Sequence, residues 1–466
     1  MQNIKRVLLI VILAIITPLK AQKPYTQAKY SYDSIKNIEY GIVSNFAGNP
    51  DTLVMDIYRP KNDSNCRRPI AMLIHGGAWI AGSKDDATLR YLADKLARRG
   101  WVVANIKYRL GTHKAKNYDM YALCNNSISQ PCAYVCDSAE IYRANFRAVQ
   151  DAKGAIRFMK NRFLQDSTDP EQVYLIGFSA GAFIALQAAF TDSSSAKSNL
   201  CDSIASAPTP SSNLNPYACL PNALNLLRPD LGPAEGTLHT GTFNSQVKGV
   251  ASFYGAILDP GMFKNLTDTP SVYLYHQGSD VVVNYRRGIL LGRISYECFS
   301  GNICQPYYFY PIAYGGEFIR QFFADSNYVG QHFKADIISN YTFNGNCFSN
   351  GHSVDNLALR SNTMLDFFSD RLIREGNTGP DKCGNTTTQS LKLTPFKCYP
   401  NPVENILTIE TYQPNLSYTI TDITGKVYAS GQLSLPVTQI STEHLAQGIY
   451  FLCLDGQTKN TLLVKL

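Results

Sequence analysis

The chain has 466 residues, enough for two or three ordinary domains, and its 45% hydrophobic and 17% charged content excludes an intrinsically disordered protein. A formal charge of +7 scattered over this length provides no basic stripe for nucleic acid. The 29 Tyr and 22 Phe against 2 Trp suit tyrosine-rich strands and carbohydrate-facing clefts alike.

Lys5 and Arg6 precede an apolar run over residues 7–16, then Pro18 and a small-residue site ending at Ala21. This order predicts a signal peptide over residues 1–21; the run is shorter than the roughly 20 residues that span a bilayer, and no later segment qualifies. Export permits disulfides, and the twelve cysteines are even in number. Local pairing is expected for Cys298 with Cys304, Cys132 with Cys124 or Cys136, and Cys201 with Cys219, the connectivity staying open. Cys132 and Cys136 have zinc-like spacing, but no second ligand pair sits nearby, so no metal is expected.

Alternating runs at 38–44 and 52–58, separated by Ala47-Gly48-Asn49-Pro50, predict an antiparallel hairpin. Continuous apolar runs at 69–74 and 101–106 flank a helical stretch at 87–99, and strand, helix, strand implies a parallel sheet. A helix over 146–163 carries the stripe Val149, Ala152, Ile156 and Met159. It leads to a strand at 173–176 and a small-residue helix at 182–190; further strands are expected at 247–254 and 271–275, and a closing helix at 362–373. The irregular segments 111–139, 191–246 and 298–345 are expected to form a cap over the cleft. Residues 375–390 have linker composition, and the short runs at 406–411, 418–420, 427–430, 448–454 and 461–464 predict a small β-sandwich.

Ser179 lies between the predicted strand and helix in the pattern Gly177-x-Ser179-x-Gly181. A serine projected from so sharp a turn is a candidate nucleophile, and a side chain at 177 or 181 would strike neighbouring backbone. His75-Gly76-Gly77-Ala78-Trp79 ends an earlier strand, where small residues let backbone N–H groups approach a developing oxyanion; the expected donors are Gly77, Ala78 and Ala180.

Taken in order, HGGAW at 75–79, YRL at 108–110, DAKGAIRF at 151–158 and GFSAG at 177–181 resemble the α/β-hydrolase esterases related to hormone-sensitive lipase, acetyl-xylan and feruloyl esterases. The resemblance covers roughly residues 38–373. It implies an α/β fold with a mostly parallel sheet and cap insertions, and a triad in the order Ser, acid, His. Asp280 holds the acid position in a loop similar to the family's His-Gly-x-x-Asp-x-x-Val-Pro, with Gln277 and Asn284 departing from its glycine and proline. The family's histidine position before the last helix falls on His352; His332, in the aromatic insertion, is its rival. His75 is expected to support the oxyanion turn and His276 to end a strand, while His113, His239 and His444 are expected at the surface.

Residues 393–466 contain Tyr399-Pro400-Asn401-Pro402, Asp422-Ile423-Thr424-Gly425-Lys426, Leu445-Ala446-Gln447-Gly448-Ile449-Tyr450 and a terminal Lys465-Leu466. They are similar to the type A sorting domain of the type IX secretion system, which implies passage across the outer membrane of a Gram-negative bacterium and that machinery as a partner. The expected organisation is a signal peptide at 1–21, an α/β-hydrolase unit at 22–374, a linker at 375–392 and the sorting β-sandwich at 393–466. The expected function is that of a secreted serine carboxylic-ester hydrolase acting without metal or organic cofactor on short-chain, acetyl or feruloyl esters of polysaccharides. A neutral imidazole base implies activity falling below a pH of about 6.5, the ordinary histidine value. A serine peptidase of the same fold and a non-catalytic surface-binding protein are the alternatives. The short N-terminal segment holds no propeller domain, which counts against the first, and the retained Ser179, Asp280 and His352 count against the second.

Overall fold

The computed structural model describes residues 23–61, 65–112, 138–192, 197–204, 228–263, 270–293, 310–326, 332–339, 351–377, 379, 381–382, 396–411, 416–422, 426–434, 436–454 and 461–466. The expected signal peptide, most of the first two cap segments and Cys124, Cys132, Cys136, Cys219, Cys298, Cys304 and His113 lie outside these residues. Every expected cysteine pair therefore has at least one member that is not described. Cys201, Cys398 and Cys453 are thiols, and burial pushes the Cys201 thiol up to about 12.

Eight strands form the central sheet: β1 (Ser31–Ser44), β2 (Pro50–Lys61), β3 (Arg68–Ile74), β4 (Val102–Ile106), β5 (Thr168–Phe178), β6 (Gly249–Phe253), β7 (Ser271–Gln277) and β8 (Phe333–Ile338). Their order is β1-β2-β4-β3-β5-β6-β7-β8. β1 and β2 are antiparallel, β2 pairs antiparallel with β4, and every pair from β4 to β8 is parallel. Side chains alternate between the faces with period two. Ile70, Met72 and Ile74 of β3 enter one apolar core and Ala71 and Leu73 the other, so β3 must be apolar throughout.

On one face lie α1 (Ala87–Ala97) and α5 (Leu357–Arg374), burying Leu89, Leu92, Met364, Leu365 and Phe368. On the other lie α2 (Ser138–Asn161), α3 (Ala180–Phe190) and α4 (Gly316–Asp325). The predicted stripe Val149, Ala152, Ile156 and Met159 is fully buried there. Asp86 caps α1 by accepting from the Thr88 and Leu89 N–H groups, and Asn356 caps α5 through Leu359 N–H, which satisfies donors that a helix start leaves open.

Part of the third expected cap segment is framework instead. Residues 312–315 join a small antiparallel sheet, α4 follows, and β8 completes the parallel sheet beside β7. Lys334 and Asp336 interrupt the apolar pattern of β8, which an edge strand tolerates because one side faces no neighbour. Asp381–Lys382, within the expected linker, pairs with Asn65–Cys66.

Beyond residue 396 come β9 (Lys397–Tyr399), β10 (Ile406–Glu410), β11 (Ser417–Thr421), β12 (Val427–Gln432), β13 (Val437–Ser441), β14 (Gly448–Leu454) and β15 (Thr461–Lys465). They form two antiparallel sheets, β9-β10-β13 and β12-β11-β14-β15, around a core of Leu407, Ile409, Ile420, Leu452 and Leu463. β9 and β13 are additions to the strands expected from the sequence, being short and half-exposed.

Candidate active site

At the end of β5 the chain turns into α3 through Ser179, whose backbone takes φ 52° and ψ −123°, a conformation costly for any residue with a side chain. Its N–H donates to Phe253 O at 3.0 Å and its carbonyl accepts from Ala182 N–H at 2.8 Å, which fixes the turn between β6 and α3. The two flanking glycines are steric requirements. A Cβ at Gly177 would lie 2.1 Å from Gly181 O, and one at Gly181 would lie 2.2 Å from Ile74 O.

The Ser179 hydroxyl donates to His352 Nε2 at 2.8 Å, and His352 Nδ1–H donates to Asp280 Oδ2 at 2.9 Å and Oδ1 at 3.1 Å. Three side chains distant in sequence thus form one hydrogen-bonded chain. Asp280 is fully buried, yet its Oδ1 also accepts from the Val282 and Val283 N–H groups, each at 2.9 Å. Burial alone would raise its carboxyl; the neighbouring His352, with hydrogen bonds from His276 and His352, outweighs it and holds the group below the usual aspartate range.

His276 has a place the sequence reading missed. Gly316 N–H donates to its Nδ1 at 3.1 Å, so the proton sits on Nε2, which faces Asp280 Oδ2 at 3.1 Å and Val283 O at 3.0 Å. A second imidazole therefore grips the same carboxylate. Its signal in the sequence is the histidine of the family's acid-loop pattern, four residues before Asp280.

The loop carrying His352 is fastened by local chemistry. Gly351 has φ 75°, and a Cβ there would stand 2.2 Å from Asp280 N, so only glycine lets this loop lie against the acid loop. Gln277, a departure from the family pattern, donates from Nε2 to Ser353 O at 2.8 Å. Tyr254 follows β6 with φ 43° and sets its ring edge-on to His352, the ring centres 4.7 Å apart. His332, the rival base, instead accepts from Arg371 Nη1 at 3.1 Å.

Gly76 packs on the nucleophile turn, where an added Cβ would meet Ser179 Cβ at 3.0 Å. Ala78 and Trp79 then take φ 52° and 60°, a conformation side-chain-bearing residues seldom adopt. Trp79 Nε1–H donates to Asn145 Oδ1 of α2 at 3.0 Å, and Trp79 O accepts from Gly111 N–H at 2.8 Å. The strained loop is thereby held from both ends, with the N–H groups of Gly77, Ala78 and Ala180 engaging no acceptor among the described residues. His75 stacks on Tyr108 at 4.3 Å and its Nδ1–H donates to Gly76 O at 2.7 Å; burial lowers its pKa, so it is a neutral prop of this turn, as expected. His239 is half-buried, its Nε2–H donating to Tyr40 O at 2.7 Å, while His444 is exposed.

An apolar cavity of about 40 Å³ adjoins Ser179, Ala78 and Ala180. A larger one of about 770 Å³ lies beyond α3, lined by Lys153, Gln187, Phe190 and Glu235, and reaches none of Ser179, Asp280 or His352. Among the described residues no group of three or more His, Cys, Asp or Glu could hold a metal ion, and no helix is long and apolar enough to cross a membrane.

Comparison with known proteins agrees with this architecture. Residues 55–148 match the BD-FAE family, and residues 397–466 match the Secretion system C-terminal sorting domain. A probable isoprenylcysteine alpha-carbonyl methylesterase of Arabidopsis thaliana is 33% identical over 28% of this chain and 21% of its own length. The isoprenylcysteine alpha-carbonyl methylesterase of the same plant is 30% identical over 34% of this chain and 30% of its own. The chain thus spans less than a third of these curated relatives. Among solved structures, Thermogutta terrifontis esterase 2 aligns with 75% of this chain and 96% of its own at 17% identity and a TM-score of 0.40. The fold assignment rests instead on the strand order above. A sorting domain at the C-terminus marks an exported protein, secreted or held at the cell surface. The chain therefore joins a region that matches the BD-FAE family to one that matches the Secretion system C-terminal sorting domain.

Proposed function

We propose that this protein is a secreted serine carboxylic-ester hydrolase in which Ser179, His352 and Asp280 act as a triad. The observation that carries the reading is the continuous hydrogen-bond chain from Ser179 Oγ through His352 to the buried Asp280, at 2.8 and 2.9 Å. His352 Nε2 takes the hydroxyl proton as Ser179 Oγ attacks the ester carbonyl carbon, and Asp280 keeps Nδ1 protonated and stabilises the imidazolium. The carbonyl oxygen becomes an oxyanion facing the N–H groups of Gly77, Ala78 and Ala180, each such donor being worth about 3–4 kcal/mol in the transition state. Collapse breaks the bond to the alcohol, which leaves with the proton from His352. Water, deprotonated by the same imidazole, then releases the acid from Ser179.

The relatives are methylesterases by name, which supports an ester rather than an amide substrate. Export and the tyrosine-rich insertion around Tyr307, Tyr308 and Tyr310 favour esters carried by extracellular polysaccharide, with short-chain, acetyl or feruloyl acids as the classes concerned. The test is labelling by a fluorophosphonate probe, with rates on nitrophenyl acetate, a proline-containing peptide anilide and a panel of acetylated and feruloylated glycans. Labelling at Ser179, ester turnover and a loss on the order of 10⁶-fold in Ser179→Ala are expected. Rapid anilide cleavage makes the protein a peptidase, and a folded protein that neither labels nor turns over any ester makes it a binding protein.

A further inference from the structure

The triad and oxyanion donors leave one wall of the site without a role. The cavity of about 40 Å³ is lined by Ser179, Ala78 and Ala180 but by neither His352 nor Asp280. In ester cleavage the carbonyl oxygen must face the N–H groups of Ala78 and Ala180, and the departing alcohol must reach His352 Nε2 to receive its proton. From the carbonyl carbon bound to Ser179, the direction left for the acyl chain is the one away from His352, and the cavity lies there. Its walls are apolar, with Trp79, Phe183, Ile141, Leu290 and Leu291 among them. A site for a sugar hydroxyl would need polar partners; a hydrocarbon tail needs none.

Size decides which acyl group enters. One water needs about 10–15 Å³ of such volume, so this cavity takes about three or four heavy atoms. The carbonyl carbon and oxygen stay at Ser179 and the N–H donors, so only the tail enters: tails of up to about four carbons fit, and a feruloyl tail of about eleven heavy atoms exceeds the space roughly threefold. The wall is also built under strain. Leu291 takes φ 61°, in the left-handed region, and is held by its N–H donating to Val282 O at 3.0 Å, while Leu290 N–H donates to Pro311 O at 3.0 Å. Non-glycine residues persist there only where the surroundings enforce it, and such positions cluster at ligand clamps.

We infer that the substrate ester carries a short acyl group of up to about five carbons, and that Leu291 sets this length limit. The inference rests on the serine-esterase reading and removes the feruloyl class from it. The experiment compares kcat/KM for nitrophenyl acetate, propionate, butyrate and hexanoate and for methyl ferulate in the parent, Leu291→Gly and Ile141→Ala, with fluorophosphonate labelling throughout. Glycine accepts φ 61° without strain, so Leu291→Gly removes the side chain and keeps the backbone. The parent is expected to lose about tenfold or more between propionate and hexanoate and to leave methyl ferulate intact. In Leu291→Gly the hexanoate-to-acetate ratio is expected to rise about tenfold or more, with a smaller rise in Ile141→Ala. A parent that labels at Ser179 and cleaves hexanoate or methyl ferulate as fast as acetate overturns the size limit and leaves the esterase reading standing. A labelled Leu291→Gly with the parent's profile removes Leu291 from its role. A parent that neither labels nor hydrolyses any of these esters overturns the esterase reading and the inference together.

Discussion

Asp280 is gripped by four donors from three directions: the imidazoles of His352 and His276 and the N–H groups of Val282 and Val283. Each favours the ionised carboxylate, and together they overcome a burial that would favour the neutral acid. The folded pKa lies below the unfolded one. Its contribution to stability is therefore fully present above the ordinary aspartate value of about 3.9 and is lost as pH falls through the lower folded value. In Asp280→Asn, kcat is expected to fall about 10⁴-fold, because an amide no longer enforces the Nδ1–H tautomer. The stability gap between parent and variant, followed by urea unfolding, should be constant from neutral pH to about 5 and shrink below about 4. A gap independent of pH down to 2 contradicts this account. In the sequence, Ser179 stood out by its turn motif, and Asp280 and His352 by their positions in the family pattern. His276 appears in the same acid-loop pattern, but its hold on Asp280 depends on the Gly316 N–H, forty residues on, fixing its tautomer.

Helix α2 carries the predicted apolar stripe, but it also buries Arg143, Arg147, Asp151, Lys153, Arg157 and Lys160, so its polar face is interior as well. Each of these charges has partners. Arg109 after β4 donates through Nε and its backbone N–H to Asp151, with a further contact from Nη2 at 2.7 Å. Lys153 and Arg157 meet Glu235 at 2.8 and 2.7 Å. Removing one member of a buried pair strands the other, at a cost of about 3–5 kcal/mol, whereas replacing both by apolar groups often costs little. Asp151→Ala is therefore expected to lose about that much by chemical denaturation, and Asp151→Leu combined with Arg109→Met to recover most of it. If the single variant loses under about 1 kcal/mol, the pair is not a structural tie. The motifs YRL and DAKGAIRF belong to this tie, which holds α2 against the chain after β4.

At the scale of the whole chain, the apolar cores of the central sheet share no residue with the core of the C-terminal sandwich. With a core of its own among the described residues, the sandwich is expected to fold independently of the sheet. A chain ending after residue 392 keeps the Asp381–Lys382 pairing with Asn65–Cys66 and is expected to hydrolyse nitrophenyl acetate within about twofold of the full chain while losing export. Loss of ester hydrolysis on that truncation, with secondary structure retained, argues that the sandwich completes the site.

By itself the sequence determined what is periodic or locally constrained. Buried strands, the helix stripe and the glycines around Ser179 each follow from steric or solvation demands within a few residues, and the sorting domain from its resemblance to a family. Only the tertiary structure decided which distant groups meet: β8 at the sheet edge, His276 on Asp280, and Leu291 in the wall beside Ser179. These depend on the sheet bringing strand ends together, and no local pattern encodes which ends those are.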